Sequence, residues 1–498
     1  MSRSILRVQV IHYSLFTIHC FRKDGVILMG KVLGAAVYPH PPIIIEEIGR
    51  GEEVKAKNTI EGAKALSNYI KDKAPTTIIL ITPHGPLFSD AIAISIGKDL
   101  YGDFGNFGFK EISLEFENNQ QLLKEIINKS LKEDIKIAAV DKNLARRYRI
   151  ENKLDHGALV PLYFVDKVYK GFKLIHITYG LLSPKDLYKF GQCIKKAVLD
   201  SDEDIIIIAS GDLSHKLTSE GPYTYSPYGK VFDETIVNII REGKMEDIIT
   251  FDLSLAEQAG ECGLRSFMVM AGVLDNYKLE TEILSYEGPF GVGYCTAKLD
   301  VVGEASPSKN LLEVIEDKER RRIEEIRKNE SPYVRLARQS LEHYINTGKY
   351  LDIPPHTPEE LLNCRKGVFV SLKKDGVLRG CIGTIEPVRE NIALEIIRNA
   401  VSAGTEDPRF EEVTKEELDS IVYSVDILHE PEKITSKDEL DVEKYGIIVS
   451  AGYRRGLLLP NLEGIDTVDE QISIALKKAN ISPHEEYSME RFRVERYY

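Results

Sequence analysis

The sequence predicts an α/β protein whose first part contains a largely parallel sheet and whose second part is α+β with an antiparallel sheet. Three observations lead to this prediction. The chain has 498 residues, more than one hydrophobic core usually supports, so at least two domains are expected. Over residues 32–274, short apolar runs alternate with longer amphipathic stretches, which is the pattern of βα units. Beyond residue 331 the pattern becomes one helix followed by paired strands.

Short apolar runs predict the strands of the first part, and longer amphipathic stretches predict its helices. The predicted strands are residues 32–38, 78–82, 174–178, 205–209 and, at the end of the domain, 293–302. The predicted helices are residues 54–73, 120–132 and 184–199. Ser183 and Pro184 suit the N-cap and the first helical position of the last of these helices. The first domain is therefore expected to span residues 29–303.

The segments outside this domain have a different character. Met29 stands directly before a strand, so residues 1–28 are expected to be an extension or a mis-start. Residues 304–330 are expected to be a charged linker leading into a solvent-facing helix.

Residues 331–498 are expected to form the second domain. It should open with a helix over residues 331–347. An Asp375-Gly376 turn between residues 367–373 and 377–382 is a strong hairpin signal, and residues 446–450 and 456–459 predict a second hairpin.

Composition excludes several classes of function. The net charge is −13 and no basic run stands out, so neither nucleic acid nor an anionic membrane surface is expected as a partner. No stretch is apolar enough to span a membrane. The six cysteines are scattered without a CxxC pair, which favours the reducing cytoplasm and argues against a disulfide framework.

Three histidines follow predicted strands: His40, His84 and His215. Ligands of open α/β sheets bind beyond the carboxyl ends of the strands, so these loops are expected to converge. Pro41 restricts His40 to extended backbone angles, and prolines on both sides of His84 stiffen its loop. The sequence therefore predicts a metal site that contains His40 and His84.

The third metal ligand is expected in the segment from Gly260 to Arg265, at an apparent helix break between residues 253–259 and 264–274. Gly260 and Gly263 are expected to let backbones approach closely there. Two imidazoles with one carboxylate suit ferrous iron, the metal we expect, although zinc or copper also accept imidazole ligands. Glu261 offers the carboxylate and Cys262 offers a thiolate, and the residues alone do not choose between them. Arg265 is a candidate substrate-binding residue.

Further titratable residues accompany the predicted site. His156, Asp212 and His215 are candidates for proton transfer. With zinc in place of iron, His215 could instead serve as the general base of a hydrolase. His176 lies within a predicted strand and is expected to be a core residue.

The first domain resembles the LigB-type class III extradiol dioxygenase superfamily, which includes the Memo proteins. The matching stretches contain His40, His84, Asp155-His156, Asp212-Leu-Ser-His215 and Glu261-Cys262, in the family's order. The resemblance implies a non-haem Fe(II) centre on His40, His84 and Glu261, with His215 as base and His156 at the substrate site. It also implies ring opening of a catechol-like aromatic substrate by dioxygen. Memo proteins use a cysteine in the Cys262 context, and the resemblance leaves both ligands open.

The second domain is similar to the AMMECR family. The resemblance rests on Val377-Leu-Arg-Gly-Cys-Ile-Gly383, Asp407-Pro-Arg-Phe410 and Gly456-Leu-Leu-Leu-Pro460. AMMECR and Memo-like domains together are typical of the AmmeMemoRadiSam system, which implies a radical SAM protein as a partner. The leading hypothesis is an iron-dependent, dioxygenase-like oxidoreductase. Its alternative is a Memo-like metal-binding module that works with the radical SAM partner without ring cleavage.

Three residues of the second domain could take part in chemistry. Arg379 and Cys381 are two positions apart on one predicted strand and so should share a face. A guanidinium beside a thiol stabilises the thiolate, which would make Cys381 a nucleophile, although a buried strand residue beside a structural arginine is an equally simple interpretation. Gly380 and Gly383 are expected to allow a ligand to approach closely. Arg379 and Arg409 are candidate substrate-binding residues, Arg409 as an anion clamp.

Overall fold

The structure is a computed structural model that describes residues 29–221, 223–305, 311–374, 376–461, 465 and 467–498. The expected extension at residues 1–28, part of the expected linker and Asp375 lie outside the described residues. The chain divides into two compact units, the first ending at Ile315 and the second spanning Glu316–Tyr498.

The first unit consists of strands and helices in alternation. Its strands are β1 (Lys31–Tyr38), β2 (Thr77–Thr82), β3 (Ile92–Ser95), β4 (Asp99–Phe104), β5 (Phe109–Glu117), β6 (Ile137–Val140), β7 (Lys173–Thr178), β8 (Asp204–Ser210), β9 (Tyr277–Glu287) and β10 (Tyr294–Glu304). Its helices are α1 (Glu46–Gly49), α2 (Lys57–Lys73), α3 (Gln120–Lys132), α4 (Lys142–Tyr148), α5 (His156–Asp166), α6 (Pro184–Leu199), α7 (Pro227–Glu242), α8 (Met245–Ile249), α9 (Leu253–Ala259) and α10 (Leu264–Val273). Helix α11 (Leu311–Lys328) contains the division between the units.

One mostly parallel sheet organises the described part of this unit, in the strand order β6-β3-β7-β2-β8-β1-β10-β9. The central strands β7, β2, β8 and β1 are mutually parallel. Strand β3 runs antiparallel to β7, and β10 runs antiparallel to β1. The predicted α/β fold is confirmed, and the strands predicted from their apolar runs are present within about two residues of their predicted bounds.

Both faces of the sheet are buried, which explains why its central strands are continuously apolar. Side chains alternate between two cores along each strand. Ile79 and Ile81 of β2 lie in one core, and Ile78 and Leu80 lie in the other. Ser183 caps α6 by accepting a hydrogen bond from the Asp186 backbone nitrogen at 3.1 Å, with Pro184 at the first helical position, as predicted.

The second unit is α+β and its strands form antiparallel sheets. Its helices are α12 (Pro332–Thr347), α13 (Glu359–Asn363), α14 (Ile392–Thr405) and α15 (Val468–Ala479). Its strands are β11 (Val368–Lys374), β12 (Val377–Thr384), β13 (Ile421–Leu428), β14 (Glu432–Ile434), β15 (Gly446–Ala451), β16 (Arg454–Leu458), β17 (Ser488–Phe492) and β18 (Val494–Tyr497). The described strands pair in two sheets, β12-β11-β13-β18 and β14-β17-β15-β16.

Both predicted hairpins of the second unit are present, as β11–β12 and β15–β16. The first hairpin contains a register shift: Leu372 pairs with Gly380, but Lys373 pairs with Leu378. Arg379 therefore has no partner residue on β11, and the regular alternation of side chains is interrupted beside it. In the described parts of the chain, no helix is long and apolar enough to cross a membrane.

Candidate metal centre

The loops that follow three adjacent parallel strands meet at one edge of the large sheet. His40 follows β1, His84 follows β2, and Asp212 and His215 follow β8, which lies between β1 and β2. Because parallel strands end at the same edge, the sheet itself brings these side chains together. Cys262, from the segment between α9 and α10, joins them.

His40, His84 and Cys262 form a compact group of donor atoms, all within 4.8 Å of one another. The Cys262 Sγ lies 3.6 Å from Nε2 of His40. The rings of His40 and His84 meet edge to face, with centroids 4.6 Å apart. Around a tetrahedral ion with bonds of about 2.0–2.3 Å, neighbouring donors are separated by roughly 3.3–3.6 Å. The observed spacing is therefore compatible with a shared metal ion.

The tautomer of His40 is fixed by Ser210. The Ser210 hydroxyl donates to the carbonyl oxygen of Gly157 at 2.5 Å, and a carbonyl can only accept. The contact of 2.9 Å between Ser210 Oγ and His40 Nδ1 must then be an Nδ1–H donation. The second ring nitrogen, Nε2, consequently carries the lone pair and faces Cys262, which is the orientation that a metal ligand requires.

His84 and His156 are positioned by Asp155. The backbone nitrogen of His84 donates to Thr82 Oγ1, which in turn donates to Asp155 Oδ1 at 2.6 Å. The same carboxylate oxygen caps α5 by accepting from the backbone nitrogen of Gly157. His156 begins this helix, and its ring stacks on His84 with centroids 4.2 Å apart.

His176 completes this network from the interior of the sheet. It is buried, as predicted, but its Nε2 lies 2.9 Å from Asp155 Oδ2 and its Nδ1 lies 2.9 Å from Ser95 Oγ. Burial raises the pKa of Asp155, but the hydrogen bond and charge of His176 outweigh burial and bring the pKa down to about 2. Asp155 is therefore ionised, and His176 supports the site in addition to packing in the core.

Asp212 and His215 form a second group with Cys262, in which one donor atom of each residue lies within 4.8 Å of the others. Asp212 also lies beside His40, with Oδ2 3.8 Å from His40 Nε2. Asp212 Oδ1 accepts from the backbone nitrogen of His40 at 2.9 Å. Burial raises the pKa of Asp212 to about 6, against the opposing charge of His215. Burial lowers the pKa of His215, so its ring favours the neutral form.

The His215 ring has an unsatisfied nitrogen. Its Nε2 is buried, and no hydrogen-bond partner for it is found among the described residues. The ring stacks on Tyr223 with centroids 5.2 Å apart. A buried nitrogen without a partner is costly in a folded protein, so it is suited to meeting a ligand or a substrate proton.

Glu261 and Cys262 are adjacent but face different partners. Oε2 of Glu261 accepts from the backbone nitrogen of Leu264 at 2.6 Å, at the start of α10. Burial raises the pKa of Glu261, and the hydrogen bond from Leu264 and the charge of Arg265 oppose that shift. Cys262 Sγ instead accepts from the backbone nitrogen of Asp212 at 3.3 Å. Of the two ligands that the sequence left open, the structure places Cys262 among the histidines, and Arg265 lies beside Glu261.

Three glycines shape the loops of Asp212 and Cys262 where these loops meet. A Cβ on Gly211 would lie 2.1 Å from the Cα of Gly263, so the two backbones are in direct contact. Gly260 has a φ of 64°, in the region that favours glycine. The close backbone approach predicted for this segment is therefore present.

Sequence reasoning missed two residues that support the centre. Ser210 ends the apolar strand β8, and Tyr179 directly follows β7. The Tyr179 hydroxyl donates to the Cys262 carbonyl at 3.1 Å. The position of each at the end of a buried strand is a usable signal, since the same position identified His40 and His84.

In the second unit, the guanidinium of Arg379 pairs with a carboxylate. Arg379 donates to both carboxylate oxygens of Glu417, at 3.0 and 2.9 Å. The register shift of the β11–β12 pair lies beside Arg379. The cation that contacts Cys381 is Arg409, whose Nη2 lies 3.3 Å from the Cys381 carbonyl oxygen.

The expected ligand approach at two glycines of β12 is also corrected. A Cβ on Gly380 would lie 2.0 Å from the carbonyl oxygen of Ala403. A Cβ on Gly383 would lie 2.2 Å from the ring of Phe369. Both glycines are therefore required by packing within the protein.

Comparison with known proteins agrees with this architecture. Residues 34–297 match the family described as the catalytic LigB subunit of aromatic ring-opening dioxygenase. Residues 334–498 match AMMECR1. The chain belongs to the LigB family and carries an AMMECR1 domain in the same polypeptide, which confirms both predicted resemblances.

Individual relatives share this organisation in whole or in part. Protein CA_C1420 of Clostridium acetobutylicum is 47% identical over 465 residues, or 93% of this chain and 98% of that one. A Thermotoga maritima protein is 52% identical over 170 residues, covering 34% of this chain and 98% of its own length.

Two solved structures are also similar. Uncharacterized protein PH0010 from Pyrococcus horikoshii is 34% identical, with a TM-score of 0.32, and covers 33% of this chain and 88% of that chain. Uncharacterized protein JW3007 from Escherichia coli K12 is 11% identical, with a TM-score of 0.37, and the match covers 54% of this chain and 99% of that chain.

Proposed function

We propose that the first unit is a non-haem metal enzyme that binds a divalent metal, Fe(II) in the active form, through His40, His84 and Cys262. Its reaction is the oxidation of a catechol-like aromatic substrate by dioxygen. The observation that carries the proposal is the fixed tautomer of His40. The Ser210 hydroxyl donates its hydrogen to the Gly157 carbonyl, so it can only accept from His40 Nδ1–H. The lone pair of His40 is then on Nε2, which faces Cys262.

The donor set fits a transition metal. Imidazole suits iron, zinc and copper, and a thiolate adds a soft donor that these metals accept. Three protein ligands leave coordination positions open for substrate, which is the arrangement of a catalytic rather than a structural site. A bound ferrous ion would supply Lewis-acid and redox chemistry that brings a diol and dioxygen together.

His215 is suited to remove a proton from the substrate. Burial lowers the pKa of its ring, so the ring is neutral and able to accept a proton at neutral pH. Its Nε2 has no partner among the described residues and is available to a diol hydroxyl. The nearby carboxylate of Asp212 would stabilise the imidazolium that forms.

Aromatic rings offer a surface for a flat substrate. The ring of His156 stacks on His84 and meets the ring of Phe107 edge to face, with a centroid distance of 5.4 Å. Phe107 is exposed, as expected for a side chain at the mouth of a site. Stacked and edge-on contacts of this kind favour an aromatic substrate over an aliphatic one.

A second candidate function is favoured by Glu261. The Glu261 carboxylate accepts a hydrogen bond from the backbone nitrogen of Leu264. The donor atoms that lie together are two imidazoles and a thiol. This set differs from the two histidines and one carboxylate that are typical of oxygen-activating iron. This observation supports a Memo-like module that holds the metal without opening rings. The radical SAM partner implied by the domain combination stays part of this proposal.

One experiment separates the two functions. The full-length protein is purified anaerobically, stripped with a chelator and loaded with Fe(II) or Zn(II), and oxygen uptake is followed over a panel of catechols. The enzyme proposal expects uptake with Fe(II), no uptake with Zn(II), and stoichiometric loss of the diol. Stoichiometric Fe(II) binding with oxygen uptake no greater than that of free Fe(II) would overturn the enzyme proposal and support the binding module.

A further inference from the structure

The second unit brings a thiol and two cationic side chains together from separate segments. Cys381 lies on the edge strand β12, Arg409 follows α14, and Lys478 belongs to the last turn of α15. The pKa of Lys478 is lowered, first by burial and then by repulsion from Arg409, while Cys381 acts in the opposite direction. The three groups are therefore close enough to influence one another.

Arg409 is held in place by Asp407. Its Nε and Nη2 donate to the two carboxylate oxygens of Asp407, at 2.9 and 2.7 Å. The same carboxylate accepts from the backbone nitrogen of Cys381 at 2.9 Å. Burial raises the pKa of Asp407, but the hydrogen bonds from Arg409 and Cys381 outweigh burial and lower it to about 2. Asp407 thus ties Arg409 to the strand that carries the thiol.

The charges of this cluster do not cancel. Two basic side chains, Arg409 and Lys478, accompany the single carboxylate of Asp407 at this thiol. Ser371 lies opposite Cys381 in the strand pair, and its hydroxyl donates to Sγ at 3.3 Å. The Cys381 residue therefore has a hydroxyl donor on its sulfur and a guanidinium on its backbone carbonyl.

The thiol, the arginine and the lysine of the cluster are all accessible to solvent. Cys381 is half-buried, and the Arg409 side chain is 54% exposed although its partner Asp407 is 2% exposed. Among the cysteines of the described residues, Cys193, Cys262 and Cys295 are buried, and Cys364 is exposed. Cys381 is thus an accessible thiol that lies beside the Ser371 hydroxyl and Arg409.

We propose that Cys381, Arg409 and Lys478 form a reactive-thiol site for a small electrophile that carries a carboxylate. The cations hold the carboxylate while the Cys381 sulfur attacks the electrophilic carbon. An S–C bond forms with the sulfur electron pair, and the leaving group departs with the electrons of its own bond to that carbon. This site lies in the AMMECR1 domain and does not depend on the metal centre.

Alkylation of the full-length protein tests the proposal. Iodoacetate carries the carboxylate, and iodoacetamide is its neutral counterpart; each releases iodide. Rates at Cys381 and Cys364 are measured separately by peptide mapping. The ratio of the iodoacetate rate to the iodoacetamide rate should be about fivefold or more higher at Cys381 than at Cys364, and it should decline with added salt.

Substitutions assign the effect to the named cations. Lys478→Gln and Arg409→Gln should each lower the Cys381 ratio about threefold or more. Lys477→Gln, at the adjacent exposed position of α15, should leave it unchanged. Equal ratios at the two cysteines, or the same decline in the Lys477 variant, would overturn the proposal. Arg409→Lys retains the charge and should preserve most of the ratio, which separates a lost charge from a disturbed fold.

Discussion

The sulfur of Cys262 lies 3.6 Å from Nε2 of His40, although the two residues are 222 positions apart in the chain. The contact depends on a strand end, a helix break and glycines that let their backbones touch. Cys262, which lies between α9 and α10, thereby becomes a neighbour of His40 and His84, which follow parallel strands.

Cys262→Ser is expected to lose most of the bound metal, whereas Glu261→Gln should retain it. The serine lacks the soft sulfur donor, while the amide oxygen of the introduced glutamine could still accept the Leu264 N–H that Glu261 accepts now. The glutamine variant should lose only roughly 0.3–1 kcal/mol of stability from the weaker helix N-terminus. Metal content after desalting measures both outcomes. Loss of metal in the glutamine variant alone would contradict the assignment of Cys262 as ligand.

Ser210→Ala is expected to weaken metal binding by roughly 10–100-fold, because it removes the acceptor that fixes the His40 tautomer. Competition with a chromophoric chelator gives the affinity. Ser130→Ala is the matched control, since that serine is equally buried but donates to Ile126 in α3. Equal metal affinities in the two variants would show that the Ser210 contact does not orient the ligand.

His215→Gln is expected to retain metal but to lose roughly 10²–10⁴-fold in turnover, the contribution typical of a general base. In the wild type the base must be unprotonated, so activity falls as pH drops through its pKa. Burial lowers the pKa of His215 from 6.5, which places this acid limb below pH 6.5. The pH profile of kcat/KM measures it. A limb above pH 7 would be inconsistent with this base.

Asp155→Asn is expected to destabilise the protein at pH 7 by roughly 1–3 kcal/mol, since Thr82, Gly157 and His176 would lose a charged acceptor. The pKa of Asp155 is lowered to about 2 from 3.8. Its contribution is therefore present above pH 4 and is lost as pH falls through about 2. Urea unfolding at pH 7 and pH 3 should show a smaller difference between variant and wild type at the lower pH. A difference that grows on acidification would exclude this account.

Asp233→Asn is expected to stabilise the protein at pH 8. Burial raises the pKa of Asp233 from 3.8 to about 7, against hydrogen bonds from Ser214 and Tyr286. The unfolded chain loses this proton at lower pH, so wild-type stability declines as pH rises from about 4 to about 7. The asparagine imitates the protonated acid and should gain roughly 2–4 kcal/mol at pH 8 and almost nothing at pH 4.

Urea unfolding at the two pH values measures the effect of Asp233→Asn. Asp200→Asn is the control, because that exposed carboxylate pairs with Lys129 at the surface and should change stability by less than about 1 kcal/mol at either pH. If both variants respond alike, the effect does not come from burial.

Local patterns identified much of the fold. Helices α3 and α6 begin and end where the periodicity predicted, because amphipathic spacing and the Ser183 cap are local properties. The short strands β3 and β6 and the hairpin β4–β5 were not predicted. β3 and β6 are buried runs of only four residues and β5 is mostly exposed, so each gives a weak periodic signal. The register shift at Arg379 was also beyond reach, because a bulge depends on pairing with another strand.

Local sequence features place His40 and His84 after strands, with prolines beside them, and place Glu261 and Cys262 at a helix break. The folded chain is needed to show which donor faces the histidines, which partner Arg379 takes, and that Arg409 lies beside Cys381. These contacts join residues that are far apart along the chain. Periodicity, capping and proline effects act over a few residues, whereas Cys262 meets His40 through the packing of two loops on a completed sheet.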